Sequence, residues 1–166
     1  LRTMKVPAHV DTFKALGANP TPMNFGEVYS ALQQGVIDGQ ENPVALIDSQ
    51  RFYEVQKHVS LTGHVFTVYI PVVGEWFWSG LTEDQQSLLR EAMTDAAAYQ
   101  QELVNAEEAG QLQKIRDAGV NVVELDAAAR QVFSDQTQEV RATYREEVGA
   151  EVFDGWTAAV AAAGTN

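Results

Sequence analysis

The chain has 166 residues, of which 45% are hydrophobic and 20% charged, a composition typical of a soluble globular protein with one sizeable core. With 11 basic and 23 acidic residues its formal net charge is −12, which argues against binding to nucleic acid or to anionic membrane surfaces, because both need clustered Lys and Arg. The lack of cysteine excludes disulfides and cysteine-based zinc sites, and no run of about 18 apolar residues predicts a membrane-spanning helix.

The first part of the chain predicts short elements separated by proline and glycine. The sequence opens inside a strand, residues 1–6, which is typical of a processed protein or a fragment, and no signal peptide is visible. Short helices are expected from His9 to Leu16, from Phe25 to about Gly35 and from Pro43 onwards, and β-branched and aromatic residues predict strand over 59–73.

The second part predicts mostly helix. A short helix is expected over Glu75–Leu81, and Thr82 with Gln85 matches a capping box at the start of a helix that reaches about Ala118. Its apolar spacing predicts one buried stripe, formed by Leu88, Ala92, Ala96, Tyr99, Leu103 and Ala106. A strand over 120–125, a helix capped by Asp126 and running to about Val148, and a final Ala-rich helix over 150–163 complete the prediction.

The long helix exceeds the size of the domain that the chain can form. About 37 residues at roughly 1.5 Å each give about 55 Å of helix, whereas a compact domain of this length is about 40 Å across. Unless Gly110 breaks it, the helix either projects or supports a second lobe outside this sequence.

No motif in the sequence indicates catalysis. Dinucleotide-binding, phosphate-loop, metalloprotease and serine-hydrolase motifs are missing. His9, His58 and His64 have spacings unsuited to a compact metal site, and the adjacent acidic pairs on helices are typical of a solvated surface. We therefore predict no enzyme activity and no cofactor.

Arg2 lies within an apolar strand, where an unpaired guanidinium would be costly. Its partner is either an acidic side chain of this protein or the carboxylate of a ligand, which a guanidinium grips with two parallel hydrogen bonds. Taken alone, an internal acidic partner is the commoner arrangement for a buried Arg. The residues themselves leave both alternatives open.

The loop VIDGQENP, residues 36–43, places a turn and several polar side chains between two apolar segments. Asn42-Pro43 is typical of a helix start, with Asn42 as N-cap and Pro43 as the first helical residue. Either Asn42 only caps the helix, or its amide helps to recognise an anion at the helix N-terminus. Phe25 and His64 also have two interpretations each: the side chain either packs in the core or contacts a ligand.

A family resemblance adds to this interpretation. The segments GANPTPMNFGEVYSALQQGVIDGQENP (17–43) and FYEVQKHVSLTGH (52–64) closely resemble the dicarboxylate-type solute-binding proteins of TRAP transporters, the tripartite ATP-independent periplasmic systems for organic acids. The resemblance extends in order over the whole chain. It implies that this chain is the C-terminal half of such a protein.

The resemblance also implies a ligand site. It assigns to Arg2 a salt bridge to the ligand carboxylate, to Asn42 a second contact with that carboxylate, and to Phe25 a place in the pocket wall. His64 corresponds in position to a histidine that some members of the family have in their hinge strand. Asn24 departs from the Pro or Ala that many members have before this Phe, which is expected to change the lip of the pocket.

The fold implied is α/β, the second lobe of a two-lobed periplasmic binding protein, with a long helix that spans both lobes and with the N-terminal lobe and signal peptide outside this chain. Residues 1–67 and 108–166 are expected to form the second lobe, and 68–107 the hinge strand and helix start that belong with the first. The function implied is periplasmic capture of a small organic acid and its delivery to the membrane subunits of a TRAP permease. The alternative is an interaction module without ligand binding, in which the apolar face of 68–78 drives dimerisation.

Overall fold

The computed structural model describes residues 1–65 and 69–162 of the chain. Within them, four short strands form two parallel pairs, and helices make up most of the rest. The strands are β1 (Arg2–Thr3), β2 (Thr21–Pro22), β3 (His58–Leu61) and β4 (Asn121–Glu124), with β1 paired to β2 and β3 paired to β4.

The helices alternate with these strands and vary widely in length. One of them, α5, has 35 residues, about 52 Å of helix at roughly 1.5 Å per residue. The bounds are α1 Pro7–Ala15, α2 Val28–Gln33, α3 Val44–Ser49, α4 Glu75–Trp78, α5 Glu83–Asp117, α6 Ala127–Gln136, α7 Gln138–Val148 and α8 Ala150–Ala162, with 3-10 turns at Phe25–Glu27 and Phe52–Glu54.

The core lies between α2, α3, the β3–β4 pair and the end of α5. Its buried apolar members come from residues 28–59 and from two positions further along the chain, Ile115 and Val120. Ile115 is completely buried and packs the C-terminal part of α5 on this core. The Lys114 ammonium, 2.6 Å from a carboxylate oxygen of Asp48, joins α5 to α3 at the same place.

Strand β1 lies between two other chain segments. Arg2 pairs with Thr21 of β2 on one side and forms a parallel bridge with Gln40 on the other, where the Arg2 amide donates to the Gly39 carbonyl at 2.7 Å. Because the three segments are parallel, the residues that follow them all emerge at the same edge. This edge brings together Arg2, the segment after Pro22 and the loop around Asn42.

Several local predictions are confirmed. The capping box of Thr82 and Gln85 starts α5, with both reciprocal hydrogen bonds formed, and the Asp126 carboxylate accepts from the Ala129 amide at the start of α6. Gly110 does not break α5, so the expected overlong helix is present. The C-terminal helix is also present as α8.

The predicted burial of the α5 stripe is wrong for the described chain. All six positions of the stripe, from Leu88 to Ala106, are exposed, with Leu88 at 65%. Periodicity predicts that a face is apolar, but not which part of a protein covers it. Of the residues of α5, Ile115 alone is buried in the part of the chain that the structure describes.

Other corrections concern where elements end. The strand predicted over 1–6 is limited to Arg2–Thr3, because Pro7 starts α1 and the pairing with β2 is two residues long. The strand predicted over 59–73 is limited to His58–Leu61, which matches the length of β4; 69–73 has no regular structure, and 66–68 lie outside the described residues.

Two predicted helices also end earlier than expected. The helix expected from Asp126 to Val148 is divided at Thr137, whose hydroxyl donates to the Phe133 carbonyl one turn back, a bond known to bend helices. The helix expected over 75–81 ends at Trp78, where the hydroxyl of Ser79 donates to the Glu75 carbonyl. Over the described ranges, no helix combines the length and the apolar character that a membrane crossing requires.

Candidate ligand-binding site

Arg2 is buried on β1, with 2% of its surface exposed. Its Nε and Nη2 atoms donate to the carbonyl oxygen of Met23 at 3.1 and 2.9 Å, so that one edge of the guanidinium is held by the segment after β2. Nη1 is buried and has no hydrogen-bond partner in the structure. The guanidinium is thus oriented by the fold but only partly satisfied by it.

Arg2 has no close acidic partner among the described residues, since no Asp or Glu oxygen lies within the 4.0 Å of an ion pair. Burial lowers the pKa of the Arg2 guanidinium below its ordinary value, and the more distant negative charge of Glu41 partly offsets this effect. The internal acidic partner considered from the sequence is therefore not in contact, and a negative charge at Nη1 would be stabilising.

Phe25 lies beside Arg2. The guanidinium carbon is 5.9 Å from the centre of its ring, within the range of a cation–π contact, and the ring packs edge-on against the buried Phe52 at 6.0 Å. One edge of Phe25 remains in solvent. Asn24 is exposed, and its amide donates to the Glu27 carboxylate at 3.0 Å, which fixes the start of the 3-10 turn at Phe25.

Asn42 does not cap a helix. Helix α3 begins at Val44, its N-cap position is the extended residue Pro43, and no side chain bonds to its free amides, so the capping prediction is wrong. The Asn42 amide instead donates to the side-chain oxygen of Gln40, the residue whose backbone pairs with Arg2. Asn42 therefore lies at the same edge as Arg2, with its amide engaged only by a neighbouring side chain.

His64 lies apart from Arg2, in a cluster around Glu41. One Glu41 oxygen is 3.3 Å from Nε2 of His64 and the other is 3.5 Å from Nδ1 of His9. His64 also lies 2.6 Å from the hydroxyl of Thr62 and packs edge-on against the ring of Phe13. This cluster joins α1, the loop before α3 and the segment after β3.

Two concave surfaces of the described chain lie away from the residues around Arg2. A cavity of about 250 Å³ lies between α1 and His64, and a larger cleft of about 720 Å³ lies between α1, the segment after β3, and α6 with α7. Neither is lined by Arg2, Phe25 or Asn42. Arg2 combines burial, charge and an unsatisfied donor, which favours it over either cavity as a contact for an anionic ligand.

The sequence interpretation did not single out Glu41 or the Met23 carbonyl. Glu41 follows Gln40 directly in the loop 36–43, and the bridge that places this loop beside Arg2 becomes visible only in the structure. The role of Met23 rests on a backbone oxygen, which carries no signal in the residue type. Within 1–65 and 69–162, no group of three or more His, Asp or Glu residues is arranged so that it could hold a metal ion.

Residues 1–147 match the family described as bacterial extracellular solute-binding protein, family 7, known as DctP. The chain belongs to this family. A solute-binding protein of Roseobacter denitrificans is 41% identical over 147 residues, which are 85% of this chain and 45% of that protein. The C4-dicarboxylate-binding periplasmic protein DctP of Rhodobacter capsulatus is 38% identical over 148 residues, 89% of this chain and 44% of that protein.

The fold agrees with this family assignment. The periplasmic ectoine-binding protein of the TeaABC TRAP transporter of Halomonas elongata has a TM-score of 0.84 to this structure, at 34% identity over 97% of this chain and 54% of that one. The mixed α/β fold class and the resemblance to TRAP solute-binding proteins are thereby confirmed. The chain spans about half the length of these DctP relatives.

Proposed function

We propose that the chain supplies the carboxylate-binding lobe of a periplasmic TRAP solute-binding protein that captures a small organic acid and delivers it to the membrane permease. The single observation that carries this proposal is the Arg2 guanidinium, which is buried, oriented by two hydrogen bonds and, within residues 1–65 and 69–162, without a carboxylate at ion-pair distance. Leaving such a cation unpaired is costly, and a ligand carboxylate would remove that cost.

Asn42 and Phe25 complete the proposed site. The Asn42 amide bonds only to the Gln40 side chain, so it can exchange that partner for a ligand oxygen without breaking secondary structure. Phe25 supplies an apolar wall beside the guanidinium. Arg2 then provides charge and direction, Asn42 a neutral donor, and Asn24 lies at the entrance; His64 acts indirectly, through Glu41.

We further propose the division of the chain implied by the family resemblance, with 1–67 and 108–166 in one lobe and 68–107 belonging with another. The distribution of buried residues supports it, since the apolar core is drawn from 28–59, Ile115 and Val120. Within 69–107 every large apolar side chain is exposed or half-buried. Those side chains are available to a lobe outside this sequence.

The class of ligand is supported by the relatives and by the charge of Arg2. One relative is named for C4-dicarboxylates and another for ectoine. Binding and transport, without catalysis, fit a site made of one guanidinium, one amide and one aromatic ring, which holds no nucleophile or acid–base pair. Closure of two lobes on a shared ligand would then signal occupancy to the permease.

The proposal is tested by comparing succinate with its diamide, succinamide, in isothermal titration calorimetry on the chain. The two ligands have the same carbon skeleton and differ in charge, so only succinate should bind measurably if a guanidinium–carboxylate pair dominates. Equal affinity for succinate and succinamide, or no binding of any small mono- or dicarboxylate from a panel, would contradict the proposal.

The alternative function, an interaction module, has its own supporting observation. Between residues 69 and 76 the side chains of Tyr69, Ile70, Val72 and Trp76 are each at least 75% exposed, which is unusual for large apolar residues side by side. If this face drives self-association, light scattering should detect dimers at micromolar concentration whether or not an organic acid is present. A monomer at high concentration would count against this alternative.

A further inference from the structure

The cleft of about 720 Å³ between α1, the segment after β3 and the α6–α7 pair is a separate feature from the Arg2 site. Its volume falls within the range of small-molecule sites in proteins, roughly 300–1,000 Å³. Its walls combine apolar side chains, among them Phe133, with the hydroxyls of Thr62 and Ser134. Of the predicted ligand-site residues, His64 is the one among the described residues that line this cleft.

The charge of this cleft is opposite to that of the chain. Arg130 and Arg141 line it, and none of its described lining residues is Asp or Glu, although the chain carries 23 acidic and 11 basic residues. A concave surface with charge of one sign concentrates the electrostatic potential and attracts ions of the other sign. An acidic protein that keeps two arginines together without a carboxylate has a local preference for anions.

Both arginines are held by the backbone and not by acidic side chains. Nε of Arg130 donates to the Leu125 carbonyl at 3.1 Å, and its Nη1 lies 3.4 Å from the place that a β-carbon on Gly63 would occupy. Gly63 has a positive φ of 58°, a backbone conformation that favours glycine. In the described structure Arg130 has no carboxylate within ion-pair distance, and its Nη donors have no protein partner among the hydrogen bonds found.

Arg141 is fixed still more firmly. Its Nη2 donates to the Ser134 carbonyl and its Nη1 to the Thr137 hydroxyl, both at 2.7 Å, which places a positive charge at the C-terminal end of α6. The same Nη2 lies 3.3 Å from the Ser134 hydroxyl. Within the described ranges no acidic side chain pairs with it, so its charge is compensated only by the carbonyl end of the helix.

Carboxylates on α1, on α6 and just before α6 accept hydrogen bonds from other protein groups. Asp126 accepts from the Ala129 amide, Asp135 from the Gln131 side-chain amide and Asp11 from the Tyr144 hydroxyl. A Glu41 oxygen lies 3.3 Å from Nε2 of His64. The Leu125 carbonyl holds Arg130 and the Ser134 carbonyl holds Arg141, and these two carbonyls lie at opposite ends of α6. No single one of these carboxylates is therefore positioned to neutralise both arginines.

We propose that this cleft is a second anion-binding site, which takes a small organic polycarboxylate with one carboxylate at Arg130 and another toward Arg141. Fixed guanidinium groups at two ends of a short helix favour a ligand with two separated negative groups over a single small anion. The apolar wall around Phe133 favours a carbon skeleton between them. Arg2, Phe25 and Asn42 do not line this cleft, and His64 is the one predicted site residue among its described lining.

Citrate is the probe, titrated by calorimetry at low salt into the wild-type chain, the double variant Arg130→Gln/Arg141→Gln and the control Arg116→Gln. Arg116 is an exposed arginine paired with Glu124 outside the cleft lining, so its substitution makes the same type of charge change. Saturable binding is expected for the wild type and the control, and at least tenfold weaker binding for the double variant.

The single variant Arg130→Gln distinguishes loss of the binding site from loss of the fold. Arg141 also caps the C-terminal end of α6, so its substitution could destabilise the helix, whereas Arg130 has no such capping role. This variant should keep the wild-type melting temperature within a few degrees and still bind citrate at least threefold more weakly. Amide resonances of residues 62–64 and 130–141 should shift together on titration. The proposal is overturned if citrate does not saturate, if the arginine variants bind like Arg116→Gln, or if the shifts cluster around Arg2 and Asn42 instead.

Discussion

Replacing Arg2 with Lys should weaken carboxylate binding while leaving the fold in place. Arg2 makes two hydrogen bonds to the Met23 carbonyl and has one buried Nη group free for a ligand. A lysine ammonium keeps the charge but has a single nitrogen, so it cannot hold the Met23 oxygen along one edge and present a second donor along another.

The magnitude follows from the bonds that are lost. A hydrogen bond to a charged group contributes about 1.5–3 kcal/mol, and Lys should lose one such bond to the ligand. Since about 1.4 kcal/mol corresponds to a factor of ten, the dissociation constant for succinate should rise by roughly 10- to 100-fold. The binding enthalpy should become less favourable in the same titration, because a direct charged contact is removed.

Arg116→Lys provides the matched control, since it makes the same substitution at an exposed ion pair with Glu124. Its effect on succinate affinity should be less than twofold, and both variants should have far-ultraviolet circular dichroism spectra like that of the wild type. If Arg2→Lys binds succinate as tightly as Arg116→Lys does, the guanidinium does not contact the ligand and the proposed site is wrong.

Three further predictions concern stability. Ile115→Ala should lower the free energy of unfolding in urea by about 2–5 kcal/mol, whereas Leu103→Ala on the same helix should change it by less than about 1 kcal/mol, because Ile115 is fully buried and Leu103 is 39% exposed; equal losses would refute the assigned core. Burial, and then the hydrogen bond to Asp11, raise the pKa of Tyr144, so its contribution is complete below about pH 10 and is lost as the pH rises through the raised value. Melting temperatures should fall in that alkaline range for the wild type and less for Tyr144→Phe; parallel curves would contradict this. The hydrogen bonds from Arg145 lower the pKa of Asp154, so the α7–α8 pairing should weaken as the pH falls through that lowered value, and Asp154→Asn should lack this acid step in circular dichroism.

Local sequence rules predicted the helix starts well and the limits of the strands poorly. The capping box at Thr82 and the N-cap at Asp126 each depend on residues three positions apart, so a short stretch of sequence contains both hydrogen-bonding partners. The ends of β1 and β3 depend instead on how far their partners β2 and β4 extend, which is set by residues at distances of about twenty and sixty positions. The division of α6 from α7 rests on one hydroxyl, that of Thr137, which competes with the helix for a carbonyl.

The candidate site shows the same contrast between local and distant information. Burial of Arg2 followed from an apolar strand, but its partner is a backbone oxygen of Met23, which no residue pattern could indicate. Asn42 was expected to cap a helix because Asn-Pro is a common start, yet the extended conformation of Pro43 moves the helix start to Val44 and turns the amide to Gln40. The family resemblance assigned Arg2, Asn42 and Phe25 to one site without supplying these contacts.

For an acidic chain to bind anions, its positive charges must lie in particular places. At a net charge of −12 the chain repels anionic ligands at long range, but at physiological salt that repulsion is screened beyond about 8 Å. A buried guanidinium such as Arg2 interacts with a carboxylate through a medium of lower dielectric constant, where a single contact outweighs many distant charges. Arg130 and Arg141 are exposed, so they depend on a cleft free of acidic side chains to keep a local positive potential. The proposed Arg2 site would therefore select ligands by desolvated contact and the proposed cleft site by charge and spacing, and salt should weaken binding at the cleft far more than binding at Arg2.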